Sequence, residues 1–302
     1  MGSQSYTTKK NELGYFSVEP MPTHEEISNF YRDKYYQTVE QRTSSYQNEY
    51  SPEQLEHKRL IAAEIVYAVQ QHVDQSQTSR ELMDIGCGEG FVLQEAHNQG
   101  WTVSGFDFNS VPAQRWNKEI ADKIEEGDAY AILQDLLGSG KKIDACILTN
   151  VLEHVIDPKA LLLDLKRLLK PGGVAAITVP NDYSDLQRHL MEHGFVANEY
   201  WFSPPAHLHY FNEDSLTKIS EFCRFHVCEL FAGFPIEVFL TNPKSSYIAD
   251  KEAGKCAHAS RVMLDLLMSK KGMDKFHDYS KSLAACGAGR TITCVIRNAE
   301  ES

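Results

Sequence analysis

The chain has 302 residues, 42% of them hydrophobic, enough for one large domain, or one domain with a substantial appendage, built on a full core. Its 30 Lys and Arg against 42 Asp and Glu give a formal charge of −12 with no basic stripe, which argues against a nucleic-acid partner and for a small-molecule one. No long apolar run suits a membrane span, Met1 to Glu19 carries no signal-peptide pattern, and the seven cysteines never fall as CxxC, so a reduced, cytoplasmic protein with no membrane partner is expected.

Met1 to Leu13 is polar and is expected to fray. From Pro20 to Tyr50 the chain is dense in tyrosine, and Tyr31, Tyr35, Tyr36, Tyr46 and Tyr50 are interleaved with charged and amide side chains. A ring bearing a hydroxyl suits a helical lid over a polar ligand; amphipathic packing on the core is the alternative. Ser51-Pro52-Glu53-Gln54 predicts a helix start, with Leu55, Ile61, Ile65, Val66 and Val69 on one face to about His72. Glu81 to Ile85 is then a short apolar run, Gly86, Gly88 and Gly90 follow it, and a helical pattern through Val92, Leu93 and Ala96 begins at once. Such glycines adopt dihedrals that side chains forbid and leave N–H groups free at a helix N-terminus. Val103 to Phe106 predicts a second strand ending in Asp107, about twenty residues on, where an α/β nucleotide site places a carboxylate for ribose hydroxyls. A dinucleotide fingerprint is GxGxxG, and here the third glycine comes one residue early. Asp84-Ile85-Gly86-Cys87-Gly88-Glu89-Gly90 instead resembles the first motif of class I S-adenosylmethionine-dependent methyltransferases.

That resemblance implies S-adenosylmethionine as cofactor, its amino-acid end beside Asp84, Gly86, Cys87, Gly88 and Gly90, and its ribose on Asp107 with Phe108 adjacent. It makes Asp128 and Ala129 the adenine contacts, although Asp128 also reads as a solvated turn acid. Small-molecule methyltransferases often carry an N-terminal cover, which implies cofactor contacts for Tyr36, Tyr46 and Tyr50 and an acceptor contact for Tyr35. Past Asp107 the pattern predicts a helix over Val111 to Lys123, a short strand from Ile124 and a fourth strand over Ile143 to Thr149. Asn150-Val151-Leu152-Glu153-His154-Val155 is similar to the segment that lines the sulfonium in the family, which brings in Asn150, Val151, Glu153 and His154. Asp157-Pro158 then caps a helix with a leucine stripe, Lys170-Pro171-Gly172-Gly173 stops it, and Val174 to Val179 reads as a central parallel strand. The alternation predicts an α/β fold: a Rossmann-like, seven-stranded, mostly parallel sheet with helices on both faces and the ligand at the strands' carboxyl ends.

Residues 181–211 carry the acceptor question. Ser184 to His193 predicts a helix, and Tyr200 to Phe211 is a loop of aromatics, two prolines and two histidines on a rigid sheet. Histidine accepts a proton near neutrality, so His207 is the first candidate base, His209 the second and His154 the third; either loop histidine reads equally well as one satisfying irregular backbone. Asn181, Asp182, Tyr183, Trp201 and Tyr210 are candidate acceptor contacts. No third ligand stands at a recognisable spacing, so no metal is expected. Asn212 caps a helix over Glu213 to Phe225, Val227 to Phe231 and Arg290 to Ile296 are the last two strands, and 233–288 is an insertion with helices over Arg261 to Lys270 and Met273 to Ala285. The insertion either walls the acceptor pocket or makes a homodimer contact. The domain plan is thus a tail and lid over 1–50 and the catalytic domain over 51–302.

Pro180-Asn181-Asp182-Tyr183, the Pro204 to Phe211 loop, Phe234 to Leu240 and Gly289-Arg290-Thr291 together resemble a bacterial branch found in sugar and surface-polysaccharide pathways. That branch implies O-methylation of a sugar or nucleotide-linked sugar. N-methylation of a small amine or phosphorylated metabolite, and a non-catalytic cofactor-binding scaffold, are the alternatives. A nicotinamide-dependent sugar enzyme would share the sheet and Asp107, but no Tyr-x-x-x-Lys pair lies near the fourth or fifth strand.

Overall fold

The computed structural model describes residues 5–35, 49–74, 76 and 79–299. Tyr36, Tyr46 and the side chain of Tyr35 lie outside what is described. Two antiparallel strands, β1 (Thr7–Lys10) and β2 (Phe16–Glu19), precede α1 (His24–Tyr35) and α2 (Pro52–Gln70). The predicted start of α2 is built as a capping box: Ser51 Oγ accepts from Gln54 N at 3.3 Å, Gln54 Oε1 accepts from Ser51 N at 2.9 Å, and Pro52 occupies the first turn, where no N–H is required.

Five strands then alternate with helices: β3 (Glu81–Ile85), α3 (Phe91–Asn98), β4 (Thr102–Asp107), α4 (Val111–Trp116), β5 (Ile124–Glu126), α5 (Ala129–Gly138), β6 (Ile143–Thr149), α6 (Pro158–Leu168) and β7 (Leu169–Pro180). After α7 (Asp185–Glu192), β8 (His209–Tyr210) and α8 (Glu213–Phe222) come β9 (Phe225–Ala232), α9 (Lys251–Ser269), α10 (Met273–Ala285) and β10 (Thr291–Asn298). The seven-stranded sheet runs β5-β4-β3-β6-β7-β10-β9, with β10 antiparallel to both neighbours and the first five strands parallel. The strand order reverses between β3 and β6, which opens a crevice beyond the carboxyl ends of those two strands. Side chains alternate across the sheet as a strand's period of two requires: Met83 and Ile85 join the core with α6 and α8, while Leu82 joins the one with α2 and α3.

Three local expectations change. Met1 to Leu13 does not simply fray, because Thr7–Lys10 pairs with β2, and β2 pairs with His209–Tyr210 to form a second, three-stranded sheet. The TTKK sequence of β1 has no apolar alternation, so only its partner reveals it as a strand. The helix over Val111 to Lys123 breaks at Asn117, whose side chain donates to the Glu89 carbonyl at 2.7 Å, and a 3-10 turn, Lys118–Lys123, follows. Lys170 to Gly173 stands as a bulge inside β7 rather than after a helix: Ile143 pairs with Leu169 and Ala145 with Val174, so the intervening residues loop out. No described helix is long and apolar enough to cross a membrane.

Candidate active site

A cleft of about 1010 Å³ lies over the carboxyl ends of β3 and β6. Its floor is the turn after β3, where Gly86, Gly88 and Gly90 hold φ of 77°, 52° and 76°, the left-handed region that a side chain disfavours. Space is as strict as torsion, since a Cβ on Gly86 would stand 2.7 Å from Val151 Cγ2, and one on Gly90 would stand 2.6 Å from Ile120 Cδ1. Cys87 packs in the same turn, burial pushes its thiol well above the usual range, and its sulfur limits the space at Gly105.

Carboxylates surround this turn. Asp107 Oδ2 accepts from Gly88 N at 2.8 Å and Oδ1 from Asn109 N at 3.2 Å, which ties the end of β4 to the glycine turn. Burial raises its pKa, and these backbone donors offset part of that rise. Asp84 is almost fully buried, and its Oδ1 has no hydrogen-bond partner. Burial, and then the neighbouring Asp107, lift its pKa to about 8. Glu89, which the sequence reading did not single out, is buried on the cleft wall and takes Tyr50 Oη and Lys58 Nζ at 2.5 Å each. Asp128 Oδ1 accepts from Ala131 N at 3.1 Å at the start of α5.

On the β6 side, Asn150 turns at φ 54° and its N–H donates to the Thr178 carbonyl at 2.9 Å, which aims the following residues into the cleft. His154 lines the cleft, and its Nδ1 lies 2.5 Å from the Ala206 carbonyl oxygen. A carbonyl can only accept, so Nδ1 carries the hydrogen and Nε2 of the neutral ring holds the lone pair. Glu153 Oε1 stands 3.6 Å from that Nε2. Glu153 is buried with neither oxygen hydrogen-bonded, and burial lifts its pKa to about 8. The opposite wall comes from α2 and the insertion: His57, Lys58 and Glu64 face Arg261 and Asp265 of α9, with Arg290 at the entry to β10.

A family model described as a methyltransferase domain matches residues 53–222, more than half of the chain. The chain belongs to the class I S-adenosylmethionine-dependent methyltransferases. A ubiquinone biosynthesis O-methyltransferase of Pasteurella multocida is 30% identical over 115 residues, 34% of this chain and 48% of that protein. Its namesake in Dinoroseobacter shibae is 33% identical over 102 residues, 33% of this chain and 41% of that protein. The chain thus spans less than half the length of either relative, and neither name points to sugars. The cyclopropane synthase MmaA2 of Mycobacterium tuberculosis, at 13% identity, shares the fold with a TM-score of 0.50 over 92% of this chain and 99% of that one.

The cleft residues fit the cofactor of this methyltransferase family. The glycine turn offers a floor that a Cβ would fill, and the orphaned oxygen of Asp84 offers an acceptor for an ammonium group such as the cofactor's amino-acid end carries. Asp84, Gly86, Cys87, Gly88, Gly90 and Asp107 converge there, as do Phe108, Asp128, Ala129, Asn150, Val151 and His154. Tyr50 reaches the cleft through Glu89.

The remaining predicted residues stand away from the cleft lining. His209 is buried between Ser17 Oγ at 2.8 Å and the Ile156 carbonyl at 3.3 Å, and burial lowers its pKa to about 4, so it holds the second sheet rather than facing an acceptor. His207 lies behind His154, ring centroids 4.9 Å apart. This reverses the order of candidate bases and puts His154 first. Tyr183, Trp201 and Tyr210 form an apolar cluster with Val18 and Leu208, and Phe16 stacks on Tyr183 at 4.1 Å. Asn181 donates to the Gly289 carbonyl at 2.8 Å, and Asp182 takes Arg290 Nη1 at 2.7 Å, so both serve the cleft by holding the approach to β10. Contrary to the expectation of no third ligand, Glu153, His154 and His207 offer ligand atoms within 4.8 Å of one another. Their separation along the chain hides that grouping.

Proposed function

We propose that this methyltransferase transfers the methyl group to a hydroxyl oxygen of a small acceptor held between the glycine turn and α9. Bound S-adenosylmethionine supplies an already activated methyl carbon. The chain's own work is to orient the acceptor, exclude water and take its hydroxyl proton. The observation that carries this reading is His154: its Nδ1–H is committed to the Ala206 carbonyl, which makes Nε2 the basic nitrogen of the neutral ring, and the residue lines the cleft. A proton arriving at Nε2 gives an imidazolium 3.6 Å from Glu153, a positive charge that favours ionisation of a carboxyl whose pKa burial lifts to about 8. The relatives named as O-methyltransferases support oxygen as the accepting atom. Within that class, a sugar or nucleotide-linked sugar rests on the resemblance that Pro180 to Tyr183 and Pro204 to Phe211 bear to the sugar-modifying branch, not on contacts these segments make in the cleft.

The test is mass spectrometry of reactions with sugars, nucleotide-linked sugars, hydroxylated aromatics and amines, reading S-adenosylhomocysteine and methylated product together. A hydroxyl-bearing acceptor gains one methyl, and His154→Ala loses roughly a hundredfold in rate while cofactor affinity is kept. An unchanged rate in that variant removes His154 as base. Methylation confined to amines removes the hydroxyl reading, and cofactor binding with no product from any acceptor favours the scaffold.

A further inference from the structure

We propose that Arg261 is the specificity residue of the acceptor site and binds an anionic group, a carboxylate or a phosphate, on the acceptor. This rests on the reading of the cleft as a hydroxyl-methylating site and narrows its substrate class.

The argument is an accounting of charge in the cleft. Its other lysine and arginine, Lys58 and Arg290, are already paired: Lys58 with Glu89 at 2.5 Å, and Arg290 with Asp182 at 2.7 Å and Glu237 at 3.4 Å. His57 is likewise bound to Asp265 at 2.8 Å, which occupies the carboxylate one helical turn from Arg261. Among the described residues Arg261 has no carboxylate within ion-pair distance. Its Nη2 faces His258 Nδ1 at 2.9 Å, and its Nε is buried with no acceptor. Burial lowers the pKa of this guanidinium, and the more distant carboxylates of Asp265 and Glu237 offset part of that without bonding to it. A buried donor on a cation is costly to leave unsatisfied, and none of the described residues supplies the acceptor. Guanidinium presents a planar fork that matches a carboxylate or phosphate with two parallel hydrogen bonds, so an anion on the ligand is the chemistry that fits.

Position gives this charge its consequence. Arg261 stands on α9, in the insertion between the last two strands, and across the cleft lies the glycine turn that suits the cofactor. An anion held on α9 would set which acceptor hydroxyl faces His154. The insertion therefore selects the acceptor while the sheet holds the cofactor.

The test uses two matched pairs of probes: glucose 6-phosphate against glucose, and 3,4-dihydroxybenzoate against its methyl ester. Each is titrated calorimetrically into the 302-residue chain with S-adenosylhomocysteine present, and again into Arg261→Gln and Arg261→Lys, whose folding is checked by thermal melting. The expected result is that the charged member of one pair binds at least about tenfold tighter than the neutral one, that Arg261→Gln abolishes the difference, and that Arg261→Lys restores part of it. The pair that shows the difference identifies phosphate or carboxylate as the group recognised. Equal binding of charged and neutral members in both pairs overturns the proposal. So does a fall in S-adenosylhomocysteine affinity in Arg261→Gln, which would give Arg261 to the cofactor. Binding is read apart from turnover, so methylation of amines alone would sink the hydroxyl reading and leave the assignment of Arg261 standing.

Discussion

The two walls of the cleft are made in opposite ways. The wall proposed for the cofactor is one uninterrupted strand, turn, helix and strand, Glu81 to Asp107, whose critical features are backbone torsions and a carboxylate bonded to the turn's own N–H. The wall proposed for the acceptor is assembled from α2, the segment after β6 and the insertion, and its ties are between side chains, such as His57 to Asp265 across 208 positions of sequence. A locally encoded wall should fail all at once when its backbone is strained. A wall of side-chain pairs should lose stability or selectivity piece by piece.

The largest effect is expected where the backbone has no freedom. Gly86→Val places a β-branched residue at φ 77° and drives its Cβ to within 2.7 Å of Val151. Calorimetry should show S-adenosylmethionine affinity down by at least roughly a hundredfold, following a strain of about 1–2 kcal/mol from the left-handed torsion before any clash is counted. Wild-type affinity in this variant would separate the glycine turn from the cofactor.

A smaller, pH-dependent effect is expected at the joint between the insertion and the sheet. His277 of α10 is buried with Glu64 of α2 and Glu229 of β9 at 3.2 Å on either side. Burial alone would lower its pKa, but the bonds to Glu229 and Glu64 outweigh that and raise it from 6.5 to about 9. The folded value is the higher one, so the stabilisation is fully present below pH 6.5 and is lost as pH rises through about 9. Urea unfolding of the wild type should show a decline of a few kcal/mol across that window, and His277→Gln should flatten it. A wild-type profile already flat from pH 6 to 9.5 would show that His277 carries no such proton.

The smallest effect sharpens the contrast on the second sheet. Ser17→Ala removes the hydroxyl that donates to His209 Nδ1 and should cost about 1 kcal/mol in unfolding free energy, with the methylation rate unchanged. A fall in rate without a fall in stability would bring His209 back toward the chemistry.

The same contrast decides what could be read before the fold was known. The helix starts at Ser51 and Asn212, the strand and helix alternation, the glycine turn and Asp107 were legible because each depends on neighbours within a few residues or on a regular period. The partner of β1 was not, because a polar TTKK segment becomes a strand only against Phe16–Glu19. Nor was Glu89 legible as a site residue, for Lys58 and Tyr50 reach it from outside the motif that contains it.

Sequence by itself therefore determined the sheet, its helices and the glycine turn that floors the cleft, since torsion and period are properties of a contiguous chain. Tertiary structure alone decided which histidine meets the cleft, which of its described cations makes no ion pair, and that the insertion supplies a wall. Those depend on through-space distances between side chains far apart in sequence, and on burial, which sets the cost of leaving a charge or a hydrogen bond unmatched.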